Sequence, residues 1–303
     1  MYETIRKEAA ARGFERIFFL PAVTLAEWKT AEAKTGVAPH LHWDMAAAYP
    51  KAGCFILAVF PYSPFDPKER ISAYYLASQK SYFAAKDLAA AVAACGAYCE
   101  LADVPARALA LKHGIGTQGK NGLLRLPEYG SRIVLSVLAT DACHPSPEAV
   151  YAAPCPSGCT ACRDACPFSA IEEDGLCVTR CMRYHMNGAE YPEAVHEKQR
   201  THMGCEVCQH VCPHNRFLPL AAPSEEAREA FDLRRLIEGN TKAARELVGR
   251  NMTGNGKLTA EAIRFAGRDG LYPDAIQKAL ETSPFPAVKR AAEIVLQRDF
   301  TEK

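Results

Sequence analysis

The chain reads Cys155-Pro-Ser-Gly-Cys159-Thr-Ala-Cys162-Arg-Asp-Ala-Cys166-Pro167 and, after a gap, Gly204-Cys205-Glu-Val-Cys208-Gln-His-Val-Cys212-Pro213. Each half contains a Cys-x-x-Cys-x-x-x-Cys-Pro run. In two-cluster ferredoxins the closely spaced thiolates of such a run wrap one iron–sulfur cubane, and the cysteine before proline ligates the other. The physical reason is reach: a tight turn lets two thiolates converge on one cluster, while the helix opened by Cys-Pro carries its sulfur toward the neighbour. Two 4Fe–4S cubanes need eight thiolates. The runs supply Cys155, Cys159, Cys162, Cys166, Cys205, Cys208 and Cys212, and the eighth is Cys177 or Cys181. Crossover assigns Cys155, Cys159, Cys162 and Cys212 to one cluster, and Cys166, Cys205, Cys208 and one of the intervening pair to the other. The competing reading is one or two Cx2C zinc sites, which do not need a paired Cys-Pro crossover. His210 and His214 lie beside these ligands and read as neighbours of the site rather than ligands.

Nine of the thirteen cysteines fall in this one stretch of a 303-residue chain that is 49% hydrophobic and 23% charged, with net charge +1. Those proportions exclude disorder, collagen-like rods and coiled coils. The longest apolar run, Cys54–Phe60, stops at Pro61. A membrane helix needs about 20 such residues, so no membrane span is expected. The opening MYETIRKEAA has no apolar core of a signal peptide. The expectation is a cytoplasmic protein, whose reducing surroundings favour metal-bound thiols over structural disulfides. The remaining Cys54, Cys95, Cys99 and Cys143 read as small buried hydrophobes.

Around the cysteine segment the pattern divides in three. Residues 1–150 alternate helical and strand signals: helices over Tyr2–Arg12, Lys80–Ala94 and Val104–His113, strands over Arg16–Leu20, Cys54–Pro61, Ala97–Leu101 and Ile133–Thr140. This predicts a layered α/β domain with helices packed on a sheet. Residues 151–220 form a ferredoxin-like double-cluster module. Residues 221–303 read as an all-helical tail over Glu225–Glu238, Thr241–Gly249, Thr259–Arg268, Pro273–Glu281 and Pro286–Arg298, with a helical-repeat arrangement as one option. From 225 onward the tail carries 14 Lys/Arg against 13 Asp/Glu, so it offers no broad basic field, only pairs such as Arg234-Arg235 and Lys289-Arg290.

Gly114-Ile-Gly116-Thr-Gln-Gly119-Lys120-Asn121 matches GxGxxG and nearly matches a P-loop. Both motifs need a strand before and a helix after; here a helix precedes and a strand follows Pro127. The glycines mark close backbone approach, either to a bulky ligand or to a packed neighbouring segment.

The order of an α/β domain, GxGxxGKN-x-LL-x-x-PEYGS, CxxCxxxCP, a lone cysteine followed by tyrosine, GCxxCQxxCPxN and then helices resembles the epoxyqueuosine reductases. Those are cobalamin- and iron–sulfur-dependent enzymes of tRNA queuosine biosynthesis, with related corrinoid reductases beside them. The resemblance implies that Cys181 in Arg180-Cys181-Met-Arg-Tyr184 is the eighth ligand and Cys177 is spare. It implies a base-off cobalamin held by Gly114, Gly116, Gly119, Lys120, Asn121, Leu124, Arg125, Ser131 and Leu135, without His40 or His42 as cobalt ligands. It further implies tRNA as substrate and a small electron-donor protein such as flavodoxin or ferredoxin. The chain departs from the family pattern in the Cys155-x-x-x-Cys159 spacing and before the glycine loop, where the family carries Asp-x-x-Pro. Counting back from Gly114 puts Glu100 at the place of the proton-donating Asp, and a slip would use Asp103 instead. Asp103 also suits a helix N-cap before Val104-Pro105. Two further readings stay open: a corrinoid reductase acting on a small molecule or another protein's corrinoid, and a plain ferredoxin-type electron carrier.

Overall fold

Burial alternates along one strand and so fixes the layering. In β2 (Cys54–Pro61) the side chains of Cys54, Ile56 and Ala58 join one core, and those of Phe55, Leu57 and Val59 join another. A strand apolar on both faces belongs in the middle of a sheet. Accordingly β1 (Arg16–Leu20) and the long β6 (Ile133–Thr140) flank it, with β3 (Cys99–Leu101) beyond β6 in the order β1-β2-β6-β3. All pairings are antiparallel, with Leu20 opposite Phe55, Cys54 opposite Thr140, and Glu100 opposite Ala139. This computed structural model describes residues 1–25, 40–144, 149–250 and 253–301 of the chain.

Helices cover both faces. α1 (Tyr2–Ala11) and the C-terminal part of α2 (Ala73–Ala94) bury Ile5, Ala9, Ala85, Leu88 and Val92 against Ile56 and Leu138. On the opposite face α3 (Ala106–Lys112) buries Ala108 and Leu109 against Phe55, Leu57 and Val137. Strand limits follow the apolar runs; helix limits move. α2 begins at Ala73, not Lys80, because Ser72 Oγ accepts the Tyr75 N–H and opens the helix earlier. α3 is shorter than Val104–His113, and its N-cap is Pro105 rather than Asp103. The expectation that the four outlying cysteines are all buried is corrected: Cys54 is buried and Cys99 half-buried, whereas Cys95 and Cys143 are exposed.

By contacts the chain forms two units, each interleaved in sequence: Met1–Ser63 with Ala77–Thr179 and Val207–Pro219, and Pro64–Leu76 with Arg180–Glu206 and Leu220–Lys303. The first holds the sheet. The second is helical, with α4 (Glu225–Ala230), α5 (Leu233–Ile237), α6 (Lys242–Val248), α7 (Lys257–Arg268), α8 (Pro273–Thr282) and α9 (Pro286–Thr301). The single helix expected over Glu225–Glu238 is two, because Asp232 accepts the Arg235 N–H and caps a new start.

α7 runs through the centre of this unit and is buried on every side from Lys257 to Ala266. Its polar residues are therefore paired, as burial requires. Lys257 Nζ donates to Met186 O at 3.4 Å, Thr259 to Leu236 O at 2.8 Å, and Arg264 pairs with Glu193. Glu261, fully buried, accepts from Gln199 Nε2 at 2.8 Å and the Met203 N–H at 3.0 Å, and meets His202 Nδ1 at 2.8 Å.

Candidate iron–sulfur site

The glycine loop folds as a small hairpin in which β4 (Thr117–Gln118) pairs with β5 (Leu124–Arg125). The Gly119 N–H donates to Leu123 O at 2.9 Å and closes the tip. Its base is stitched to the segment leading into Cys155: the Val150 N–H donates to Gly114 O at 2.9 Å, and Thr117 Oγ1 donates to Ala152 O at 2.7 Å. The glycines serve this packing. A Cβ on Gly116, at φ +80°, would stand 2.7 Å from Arg125 O, and one on Gly119 would meet Asn121 Oδ1 at 2.7 Å.

Four thiols gather beside the hairpin. Cys155, Cys159, Cys162 and Cys212 line one cavity together with Gly119, Lys120, Asn121, Arg125 and His214. Cys159 closes a turn through its N–H to Pro156 O, and Cys162 sits on the short helix Ala161–Asp164. Lys120 Nζ donates to Cys159 O at 3.0 Å and ties hairpin to turn. Cys212 caps the one-turn helix Pro213–Asn215.

A clamp from the neighbouring loop sets that last turn. Asn215 Oδ1 accepts the Ser131 N–H at 2.9 Å, while its Nδ2 donates to Gln209 O at 2.8 Å and Ser131 Oγ at 3.0 Å. Gly130 sits at φ +54°; a Cβ there would overlap Asn215 Oδ1 and lie 2.7 Å from His214 O. Gly130, Gln209 and Asn215 stand in the PEYGS and CQxxCPxN stretches but carry no site signal of their own in the sequence. Nothing local shows that the two stretches bind each other.

Arg125 decides the electrostatics. It is 1% exposed, and Nε, Nη1 and Nη2 all lack a hydrogen-bond partner among the described residues. A buried guanidinium with no partner is costly unless a negative group joins it. Burial pushes the Cys162 and Cys212 thiols up, and the neighbouring cysteines push the same way. Arg125 opposes this at Cys212, and burial with Arg125 holds His214 low. A cubane carried by four thiolates is anionic and would supply the charge that Arg125 lacks.

The other expected site residues are divided between the two units. Cys166 and Cys208 lie in the sheet-bearing unit, where the Ala170 N–H donates to Cys166 Sγ at 3.3 Å. Cys177 is in that unit as well, its N–H bonded to Ala170 O at 2.8 Å. Cys181 and Cys205 belong to the helical unit, and Cys181 caps the short helix Met182–His185. Of the residues implied for cobalamin, Gly119, Lys120, Asn121 and Arg125 line the thiol cavity; Leu124 is buried in the sheet core, Leu135 packs against it, and Ser131 is held by Asn215. Glu100 is exposed and accepts from Tyr98 Oη; loss of water and this bond raise the Tyr98 phenol to about 12. Asp103 is exposed too, its N–H donating to Tyr49 Oη at 2.7 Å.

Residues 155–215 match the family of 4Fe–4S double cluster binding domains. Over 113 residues (36% of this chain) the sequence is 41% identical to an epoxyqueuosine reductase of Lactococcus garvieae, and over 217 residues (66%) it is 30% identical to one of Listeria monocytogenes. The chain is related to the epoxyqueuosine reductases. Its matched parts span 31% and 54% of those two relatives' own lengths. The fold agrees over nearly the whole chain: an epoxyqueuosine reductase from Streptococcus thermophilus superposes with a TM-score of 0.77 at 21% identity, covering 98% of this chain and 89% of that one. An epoxyqueuosine reductase crystallised with an epoxyqueuosine-modified tRNA-Tyr stem loop gives 0.73 at 20%, covering 96% and 88%.

Proposed function

We propose that the chain is an iron–sulfur reductase that converts epoxyqueuosine to queuosine in tRNA. The observation that carries the reading is the buried Arg125, without a hydrogen-bond partner among the described residues, in a cavity lined by four cysteines, a site chemically suited to an anionic cluster. Cys155, Cys159, Cys162 and Cys212 would hold one 4Fe–4S cluster, and Cys166, Cys205 and Cys208 the second by the motif, with Cys181 as the fourth ligand that the family resemblance implies. The three segments 1–150, 151–220 and 221–303 would serve as corrinoid-binding, cluster-binding and helical regions. When bound, the clusters supply single-electron relay and a base-off cobalamin supplies a strongly reducing cobalt centre.

The chain's own part is holding, neutralising and protonating. Arg125 balances charge at the thiol ring, and Lys120 fixes the Cys159 turn. Removing the epoxide oxygen as water consumes two electrons and two protons, so an acid must reach that oxygen. Glu100 or Asp103 fills this role in the proposal; both carboxyls are exposed, and a docked substrate would shield either. The corrinoid part rests on the likeness of the Gly114–Arg125 and Ser131–Leu135 segments to the family. Electrons would come from a small donor protein such as flavodoxin or ferredoxin. Among the described residues no helix is long and apolar enough to cross a membrane.

The test is anaerobic incubation of cluster-loaded protein with cobalamin, a strong reductant and epoxyqueuosine-containing tRNA, followed by nucleoside mass spectrometry. Queuosine is expected; its loss in Glu100→Gln with retention in Asp103→Asn assigns the proton to Glu100, and the opposite pattern assigns it to Asp103. No product from protein carrying both clusters and cobalamin would overturn the tRNA reaction in favour of a small-molecule or corrinoid substrate. No affinity for cobalamin would leave the electron-carrier reading.

A further inference from the structure

Three cysteines outside the cluster segment meet at one end of the sheet. Cys54 on β2 and Cys99 on β3 both stand opposite Thr140 of β6, one from each side. They are thus two strands apart, about 9.5 Å, beyond the roughly 7 Å between Cα atoms that a disulfide spans. Cys143 is different. After Thr140 the chain turns back, with the Ala142 N–H on Thr140 Oγ1 at 3.1 Å, the Cys143 N–H on Asp141 O at 3.0 Å, and the Gly53 N–H on Thr140 O at 2.9 Å. This turn lays Cys143 Sγ over Gly53, where a Cβ would be only 2.8 Å from the sulfur. Gly53 has no positive φ, so its lack of a side chain serves space rather than backbone conformation. This space lets the Cys143 thiol, which donates to Thr140 O at 4.0 Å, lie beside Cys54. One thiol of the pair is exposed and the other buried.

We propose that Cys54 and Cys143 form a reversible dithiol–disulfide pair, oxidised by low-molecular-weight disulfides of the glutathione type. The Cys143 thiolate attacks one sulfur of glutathione disulfide; that S–S bond breaks, and one glutathione leaves as thiolate and takes up the proton Cys143 lost. The Cys54 thiolate then attacks the Cys143 sulfur of the mixed disulfide, and the second glutathione leaves and takes the proton from Cys54. Two protein thiols are oxidised to one disulfide, and one glutathione disulfide is reduced to two thiols. The order follows from access and acidity: burial, with Cys143 beside it, pushes the Cys54 thiol up, so the exposed Cys143 reacts first. The bond would pin the Asp141–His144 turn to β2, at the end of the sheet where β3 carries Glu100.

The experiment uses anaerobically prepared, cluster-loaded protein treated with excess glutathione disulfide, then alkylated and mapped by mass spectrometry without reduction. Expected are a linked Cys54–Cys143 peptide pair, unchanged iron content, and a simple glutathione adduct on the exposed Cys95. Cys143→Ser should leave Cys54 unmodified, and Cys99→Ser should not affect the link. Gly53→Val should crowd the sulfur and slow ring closure at least tenfold, trapping glutathione on Cys143. A wild-type protein that keeps glutathione on Cys143 with Cys54 free, that fails to react at Cys143, or that links Cys54 to Cys99 would overturn the proposal.

Discussion

Gly130→Ala puts the clamp at the cluster cavity under direct strain. At φ +54° an alanine pays the left-handed penalty, about 1–2 kcal/mol. Its Cβ also occupies the place of Asn215 Oδ1 and crowds His214 O, so Asn215 must move. That breaks bonds from Asn215 to the Ser131 N–H and to Gln209 O, both in buried surroundings. Each group left unpaired costs about 1–3 kcal/mol, so the sum is roughly 3–5 kcal/mol, allowing for partial relaxation. For a unit of 150–250 residues this lowers the melting temperature by about 6–20 °C. The displaced turn carries Cys212, so one cluster should be lost as well, leaving about four irons of eight. Differential scanning calorimetry and anaerobic iron analysis on the same sample read both effects. Asn215→Ala separates the terms: it breaks the same bonds without the backbone penalty and should melt between wild type and Gly130→Ala. A Gly130→Ala protein that melts within 2 °C of wild type and keeps full iron would refute the clamp.

Arg125→Met should be neutral or stabilising in the cluster-free protein, because it removes a buried charge without a partner, yet it should hinder cluster loading. Taking an effective dielectric of about 20 and a separation on the order of 7 Å, loss of the cation is worth about 2.4 kcal/mol, so the adjacent cluster potential should fall by roughly 100 mV in redox titration; an unchanged potential would show that Arg125 does not face the cluster. Cys181→Ser should cost one cluster by iron count and Cys177→Ser neither, and the reverse result would reassign the eighth ligand. Glu261→Ala should destabilise by about 3–5 kcal/mol in urea unfolding, since it strands the buried His202 and frees the Met203 N–H; a loss below 1 kcal/mol would mean the network contributes little.

What could be read from the sequence, and what could not, follows from the range of the forces involved. β1, β2 and β6 run between the expected residues because uninterrupted apolar runs bounded by polar or turn residues carry their own limits. The start of α2 was hidden because Ser72 acts as a cap only in the folded chain, ahead of an aromatic stretch with no helical stripe. The break at Asp232 had a local signal, an Asp three residues before the N–H it caps, submerged in a longer charged helix pattern. The ring of Cys155, Cys159, Cys162 and Cys212 follows from the spacing and the crossover logic. Its electrostatic partner does not: an arginine at the end of a glycine hairpin shows no orientation in sequence, whereas the fold buries Arg125 in the cavity lined by the thiols. The Glu261–His202 pair spans 59 positions and has no local signature at all.

The most direct test is the elemental stoichiometry of protein prepared without oxygen and loaded with iron, sulfide and cobalamin. The account predicts close to eight irons, eight sulfides and one cobalt per chain. Stoichiometric zinc with little iron, or full iron with no retained cobalt, would contradict it.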